Sequence, residues 1–298
     1  MAKNNIPVYS INKFKRKPSS FSQFQIEVFD ADRHFEVQYP HRHDFFEILF
    51  LTKGSGLHII DFKEYQITEH SLFFLSPGQI HSIEFSKDIE GYIFLFTPEF
   101  YLLNKQNKHK LLEFPFFYHL GENQPPIYLT EEIDISFLTD VFKKGCKEIT
   151  LEDENTPEMI TALLDLVLTS SKRLYPLTEH VISTKSGHLL VKKFKQHIEE
   201  NYQNNFSVAD YANLLNITPS HLTETVKSVT GRTSTDFIYD KITLEIKRLL
   251  LYSDLSATEI ALELNFNDQS YFTKYFKRQT GYTPKQFRTR SQDSTIST

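Results

Sequence analysis

The sequence predicts an α+β protein of two domains, a β-sandwich or small barrel with appended helices followed by an all-α domain. Short apolar runs separated by turn residues extend to about residue 130, and helical periodicity begins at residue 131. One helical motif then occurs twice after residue 188. The predicted domains are residues 1–175 and 188–298, joined by a linker at 176–187.

The composition supports two folded domains and excludes several classes of protein. Hydrophobic residues make up 40% of the chain, which is enough for two cores. The first residues lack the apolar centre of a signal peptide, and no run reaches the roughly 18 apolar residues of a membrane helix. Cys146 is the only cysteine, so no internal disulfide can form. We therefore expect a cytoplasmic protein without a membrane partner.

Short strands are predicted up to about residue 130 from runs of Phe, Ile, Leu and Tyr. Examples are Phe45–Thr52, Leu57–Phe62, Ser71–Leu75 and Tyr92–Thr97. Turn signals lie between them at 53–56 and 76–78. Several short strands at this spacing are typical of a sandwich or a small barrel.

Two helices are predicted between residues 131 and 175. The first has apolar residues at helical spacing: Ile135, Leu138, Val141, Phe142 and Ile149. Thr156-Pro157 begins the second, because proline is favoured at the first helical position. Its apolar face contains Ile160, Leu163, Leu164, Val167 and Leu168. The two helices either fold onto the barrel or pair with a second copy of the chain.

The repeated motif is a helix-turn-helix, which needs a small residue where its helices cross and a tight turn between them. In residues 206–231 Ser207 caps the first helix, Ala212 lies at the crossing and Asn216-Ile217 forms the turn. Thr218-Pro219 begins the second helix and Thr230-Gly231 ends it. Residues 255–281 repeat this pattern with Ser256 and Glu259, Ala261, Asn265–Asn267 and Thr280-Gly281.

One helix is predicted between the two units, from Thr235 to Tyr252. Its buried stripe contains Ile238, Ile242, Ile246, Leu249 and Leu250. At 1.5 Å per residue this helix is about 27 Å long, compared with about 34 Å for one turn of DNA. A helix of this length can hold two units in successive major grooves.

The segment Leu255–Arg288 resembles the second helix-turn-helix of AraC/XylS regulators, on the residues NFNDQSYF, FK and TGYTPKQFR. The resemblance extends over about 188–290 and implies a seven-helix domain that binds duplex DNA, with RNA polymerase as a further candidate partner. It implies base-facing side chains at Ser220, Thr223, Glu224, Gln269, Ser270, Thr273 and Lys274, and phosphate-facing side chains at Lys227, Lys277 and Arg278. Glu224 departs from the common pattern, since a carboxylate accepts from cytosine but is repelled by phosphates.

The segment His41-Arg42-His43-Asp44-Phe45-Phe46-Glu47, with Gly54 and then Pro77–His81, resembles the two motifs of the cupin barrel. The second motif is one residue short. Cupin domains commonly precede AraC-type DNA-binding domains, so the first domain is predicted to be a cupin-like β-barrel.

The cupin-like residues allow two interpretations. Histidines two apart on one strand share a face, and Glu47 shares it by the same parity. With His81, the set His41, His43 and Glu47 suits divalent Mn, Fe, Ni or Zn. Alternatively, Tyr39, His41, Glu47 and His81 line a pocket for a small organic effector. Neither motif offers a further acidic or histidine residue as an outer partner, which favours the pocket and no cofactor. Other histidines, such as His58, His70 and His119, belong to no recognised motif.

These observations favour a sequence-specific DNA-binding transcription regulator that is controlled by a small-molecule effector in the barrel and is not an enzyme. The alternative is a metal-dependent cupin enzyme with a DNA-binding regulatory domain, although an enzyme has no need of a doubled motif. A constitutive DNA binder whose barrel only dimerises is also open. We predict a homodimer formed through Ile160, Leu164, Val167 and Leu168, because paired half-sites gain from effective concentration.

Overall fold

The structure is a computed structural model that describes residues 6–16, 19–32, 40–107, 109–117, 125–175 and 185–295. The described residues divide into two compact units, one within 7–178 and one within 179–298 that also includes Ile6. Residues 176–184, most of the predicted linker, lie outside the described residues. A helix has already begun at Lys185, so helical structure precedes the predicted start at 188.

The described part of the first unit contains ten strands arranged in three sheets. They are β1 Val8–Tyr9, β2 Phe24–Asp30, β3 Arg42–His43, β4 Phe46–Lys53, β5 Gly56–Ile60, β6 Lys63–Ile67, β7 Ser71–Leu75, β8 His81–Phe85, β9 Glu90–Phe96 and β10 Ile127–Tyr128. An antiparallel sheet has the order β10-β7-β4-β9-β2, a second has the order β6-β5-β8, and β1 pairs in parallel with β3. This β-rich unit confirms the predicted barrel class.

Strand β4 lies at the centre of the larger sheet, and both of its faces are covered. Phe46, Ile48 and Phe50 pack in a core with two helices, whereas Leu49 and Leu51 pack in a second core among the strands. A strand that is buried on both faces has a nearly continuous run of apolar residues, so β4 could be predicted from the sequence.

The prediction for β5 ran two residues too far. The chain turns at Asp61-Phe62, whose φ angles of 47° and 69° are those of a two-residue hairpin turn between the paired residues Ile60 and Lys63. The apolar side chain of Phe62 suggested strand, but it lies in this turn and is 37% exposed.

Four helices accompany the strands: α1 Ile11–Phe14, α2 Pro98–Leu102, α3 Glu132–Glu148 and α4 Thr156–Leu174. Helix α4 begins at Thr156 itself, one residue before the predicted position, with Pro157 in its first turn. The predicted dimer face on α4 is wrong. Ile160, Leu164, Val167 and Leu168 are 0% exposed, because they pack in the core against the larger sheet of the same chain.

The described part of the second unit is helical, as predicted. Its helices are α5 Lys185–Asn201, α6 Val208–Leu214, α7 Pro219–Thr230, α8 Ser234–Tyr252, α9 Ala257–Glu263, α10 Gln269–Thr280 and α11 Pro284–Thr295. Helix α8 contacts helices of both units of the repeat, and its predicted stripe from Ile238 to Leu250 is buried. Across the described ranges, every helix is too short or too polar to span a membrane.

Candidate functional site

The two helix-turn-helix units have the same local geometry. Capping boxes begin their first helices, formed by Ser207 with Asp210 and by Ser256 with Glu259. The alanines at the crossings, Ala212 and Ala261, are 0% and 3% exposed. Their small side chains let the second helix of each unit pack closely against the first.

The turns also repeat. Asn216 and Asn265 both adopt the left-handed conformation, with φ of 55° and 54°. The residue after each asparagine donates its backbone N–H to the crossing alanine, at 3.0 Å from Ile217 to Ala212 and at 2.8 Å from Phe266 to Ala261. Asparagine tolerates this conformation better than most residues, so these turns fix the angle at which α7 and α10 are presented.

The polar faces of α7 and α10 are open to solvent. Leu222 and Val226 hold α7, whereas Phe272 and Phe276 hold α10. The predicted base-facing and phosphate-facing residues lie on the opposite faces: Ser220, Glu224, Lys227, Gln269, Ser270, Lys274, Lys277 and Arg278 are exposed, and Thr223 and Thr273 are half-buried. Their contacts with DNA remain predictions.

Helix α8 carries a buried ionic network that the sequence analysis missed. Lys241 pairs with Glu245 at 3.0 Å and with Glu199 of α5, and Arg248 pairs with Glu245. Arg248 is 1% exposed and Glu245 is 2% exposed. A buried charge that lost its partner would be costly, so this network fixes the register of α8 against α5.

The cupin-like histidines meet inside the barrel. His41 and His81 face each other across an isolated antiparallel bridge, in which each backbone N–H donates to the other carbonyl at 3.1 and 2.9 Å. Their imidazole Nε2 atoms lie 3.0 Å apart. His43 and Glu47 lie on different strands, β3 and β4, and not on one strand as the parity argument assumed.

A fourth histidine joins this cluster. His58 of β5 is 0% exposed, and its Nε2 atom lies 3.0 Å from Nδ1 of His81. The three rings of His41, His81 and His58 therefore form a hydrogen-bonded chain. In the sequence, His58 belongs to no recognised motif. The available signal was the alternation of β5, in which His58 and Ile60 share the inward face.

His43 presents a lone pair to Glu47. Its Nδ1 lies 2.8 Å from the carbonyl oxygen of Phe45, which can only accept, so Nδ1 carries the proton. The other nitrogen, Nε2, is then an acceptor, 3.5 Å from Oε2 of Glu47. Burial lowers the pKa of His43 to about 4, so the ring is neutral at pH 7.

Burial also keeps the rings of His58 and His81 neutral. It lowers the pKa of His58 to about 3, with a smaller contribution from the neighbouring His43. The pKa of His81 is likewise lowered, by burial and then by His41, His58 and His43. Neutral imidazoles offer lone pairs, which is the form in which histidine binds a metal.

The donor atoms of His43, Glu47 and His81 lie within 4.8 Å of one another, close enough to share one cation. The predicted ligand His41 is not part of this group of three, although its Nε2 atom lies 3.0 Å from Nε2 of His81. Imidazole nitrogens and a carboxylate are the donors that divalent transition metals prefer. Three of the four predicted ligands thus lie close enough together to fit a divalent metal. The predicted pocket residue Tyr39 lies outside the described residues.

Comparison with known proteins identifies both units. Residues 24–175 match the AraC-like ligand binding domain, and residues 211–290 match a helix-turn-helix domain. The chain belongs to the AraC family. It is therefore a DNA-binding transcription regulator with a ligand-binding domain, which confirms the predicted family and function.

The chain is also similar to several individual proteins. The HTH-type transcriptional activator RhaR of Salmonella dublin is 25% identical over 279 residues, covering 93% of this chain and 97% of that protein. ToxT from Vibrio cholerae is 15% identical, covering 89% of this chain and 98% of that chain with a TM-score of 0.39. The C-terminal domain of the response regulator yesN from Fusobacterium nucleatum is 30% identical over 33% of this chain and 96% of that chain, with a TM-score of 0.32.

Within this AraC-family chain, the barrel cluster is covered by the segment that contains β1 and α1. The ring of Tyr9 meets that of His41 edge-on at 5.2 Å between centroids, and Phe14 lies 5.4 Å from His41 and 6.2 Å from His43. Apolar rings thus shield the histidines from water. An ion or ligand bound there would be held in a dry environment.

Proposed function

We propose that this AraC-family regulator contacts two successive major grooves with α7 and α10 and responds to an effector bound at the histidine cluster of its barrel. The observation that carries the first part is the repeat of caps, crossing alanine and left-handed asparagine on either side of α8. With 19 residues, α8 is about 28 Å long at 1.5 Å per residue. That length is close to the roughly 34 Å of one DNA turn.

The test uses the full-length chain and a random pool of duplex DNA. Selection should enrich one sequence, and a footprint on it should protect two adjacent major grooves on one face of the duplex. Affinity should fall steeply with salt, because contacts to phosphates release counterions. Protection of a single major groove would contradict the proposal that α7 and α10 both contact the DNA.

The proposed effector site is the cluster of His41, His43, Glu47, His58 and His81. Apolar side chains, including Phe45, Leu49, Phe73 and Ile83, pack in the core among the strands of the same barrel. The cluster thus places a few polar groups beside apolar walls, as in many binding sites. A thermal-shift screen of the full-length chain against small metabolites and divalent ions tests this, since a bound ligand raises the melting temperature.

The full-length relative RhaR is named as a transcriptional activator, and we propose no catalytic reaction for this chain. An assay for turnover with the selected effector tests this. Recovery of the effector unchanged after prolonged incubation with the protein is the expected result.

We propose a homodimer formed through α3 and not through α4. The exposed stripe of α3 contains Ile133 and Phe137, which are 79% and 39% exposed. Acidic residues Glu132 and Asp134 lie in its first turn, whereas Lys143 and Lys147 are exposed near its end. A second copy of α3 running antiparallel would place each acidic end beside a basic end, and charge complementarity of this kind selects a partner.

Light scattering on the full-length chain tests this surface. The wild type should be a dimer at tens of micromolar, and Phe137→Lys should be a monomer. Leu103→Lys, at another exposed apolar residue of the same unit, should remain a dimer. A monomeric wild type would contradict the proposal.

A further inference from the structure

We propose that His58, which belongs to neither cupin-like motif, is the positioning residue that holds His81 as a ligand for a divalent transition-metal ion, together with His43 and Glu47. The inference rests on the proposed effector site in the barrel. It makes the effector, or one component of it, a metal ion.

The case for a cation begins at His43. Its Nδ1 proton is committed to the carbonyl oxygen of Phe45, at 2.8 Å, so its buried Nε2 is a lone pair. This Nε2 has no hydrogen-bond partner among the described residues and lies 3.5 Å from Oε2 of Glu47. An imidazole lone pair and a carboxylate oxygen without a proton are both acceptors, and burying two acceptors together is unfavourable unless a cation or a proton lies between them. A metal ion satisfies both at once.

The case for His58 begins at His81. A neutral imidazole has one N–H and one lone pair. Nε2 of His81 lies 3.0 Å from Nε2 of His41, a contact that metal binding would replace. If Nε2 of His81 gives its lone pair to a metal, its proton must be on Nδ1, where Nε2 of His58 lies 3.0 Å away and accepts it. A metal-bound histidine almost always donates its other N–H to such an outer partner, which fixes the ring and its tautomer. His58 therefore provides the outer partner that the two motifs lack.

The surroundings of His58 restrict it to this role. It is fully buried, its ring centroid lies 4.8 Å from that of Phe73, and in strand register it faces Ile83 two positions beyond His81. A polar ring in such apolar surroundings costs free energy unless its hydrogen bond is useful to the fold or to a ligand. The bond to His81 is the contact that offsets this cost.

The experiment compares two variants of the full-length chain that differ in hydrogen bonding and little in shape. His58→Gln keeps a strong acceptor, whereas His58→Met has only a weakly accepting sulfur. Cobalt(II) is the probe, because its visible absorption reports the ligand set, and a competing chromophoric chelator gives the affinity. His70→Asn, at a turn outside the cluster with φ of 61°, is the matched control.

The wild type and His70→Asn should bind one equivalent of cobalt(II) with the same spectrum. His58→Met should bind about 10–100-fold more weakly, the usual effect of removing an outer partner. His58→Gln should stay close to the wild type. Circular dichroism and the melting temperature of chelator-treated protein check that both variants fold.

Three results would overturn the proposal. A wild type that binds no cobalt(II), zinc(II), nickel(II) or manganese(II) excludes the metal, while leaving DNA recognition by α7 and α10 untouched. Equal affinity of His58→Met and wild type excludes a positioning role. Equal weakening of His58→Gln and His58→Met shows that acceptance of the His81 proton is not what matters.

Discussion

The two helix-turn-helix units share a backbone but differ in what surrounds their recognition helices. Helix α7 is held by two aliphatic side chains, whereas α10 buries Phe272, Tyr275 and Phe276. The hydroxyl of Tyr275 donates to the carbonyl of Tyr239 on α8 at 3.1 Å. Aromatic packing and this hydrogen bond thus hold the second unit against α8, whereas the buried side chains of α7 are the aliphatic Leu222 and Val226.

The turn of the second unit is also held by an additional hydrogen bond. The side-chain nitrogen of Asn265 donates to the carbonyl oxygen of Gln203 at 2.9 Å, which links the second turn to the segment after α5. The charges differ as well: α10 carries Lys274, Lys277 and Arg278, whereas α7 carries Lys227 offset by Glu224. We infer that the second unit is the anchor, a rigid and basic unit that binds the phosphate backbone. The first unit has the same helix-turn-helix geometry, but its recognition helix is nearly neutral and contributes mainly base contacts.

The largest effect is expected at the helix crossing, where both units have a buried alanine. Ala261→Leu and Ala212→Leu should each destabilise their unit by about 1–3 kcal/mol or more, because the added atoms overpack the helix crossing. Chemical denaturation followed by circular dichroism measures the change. Leu262→Ala, at a residue that is 68% exposed on α9, is the control and should stay within about 0.5 kcal/mol of the wild type. If either leucine variant were as stable as the wild type, the alanine that it replaces would not lie at a tight helix crossing.

The next effect tests the anchor. Lys277→Ala with Arg278→Ala should weaken binding to every DNA sequence and lower the salt slope of log K by about 2, since each lost phosphate contact lowers it by about 1. Lys227→Ala, the corresponding change on α7, should lower the slope by about 1 at most. Binding isotherms at several salt concentrations measure these slopes. Equal slopes for the double variant and the wild type would remove the distinction between the units.

The local character of these units explains why they could be predicted. Caps, crossing alanine, turn and Thr-Gly end all lie within one short segment, so each unit is readable from adjacent residues. The barrel cluster is different, because His58 and His81 are 23 positions apart and meet only through the antiparallel register of β5 and β8. The apolar face of α4 was also evident from the sequence. Helical periodicity does not say whether a sheet of the same chain or a helix of a second copy covers that face, so the predicted dimer surface was wrong.

A smaller effect separates reading from anchoring within α10. Gln269→Ala and Thr273→Ala should each cost about 1–3 kcal/mol on the preferred DNA sequence and much less on other sequences, because base contacts carry the discrimination. Ser220→Ala and Thr223→Ala make the same comparison on α7. Competition between the selected site and single-base variants measures the change. A uniform loss across all sequences would assign these side chains to the phosphate backbone.

The smallest expected effect concerns Glu224, the acidic residue on the polar face of α7. If it faces phosphates, Glu224→Gln removes a repulsion and should modestly raise affinity for every sequence, since the glutamine keeps the length and hydrogen-bonding capacity of the side chain. If it accepts from a cytosine N4 amino group, the same change should weaken binding only at sites that contain that cytosine. We expect the first outcome, because α7 has only Lys227 to attract DNA and an added carboxylate cancels it. Glu263→Gln, an exposed glutamate at the end of α9, controls for the change in net charge alone. An equal gain in Glu263→Gln would show that the effect comes from overall charge and not from the position of Glu224 on the recognition helix.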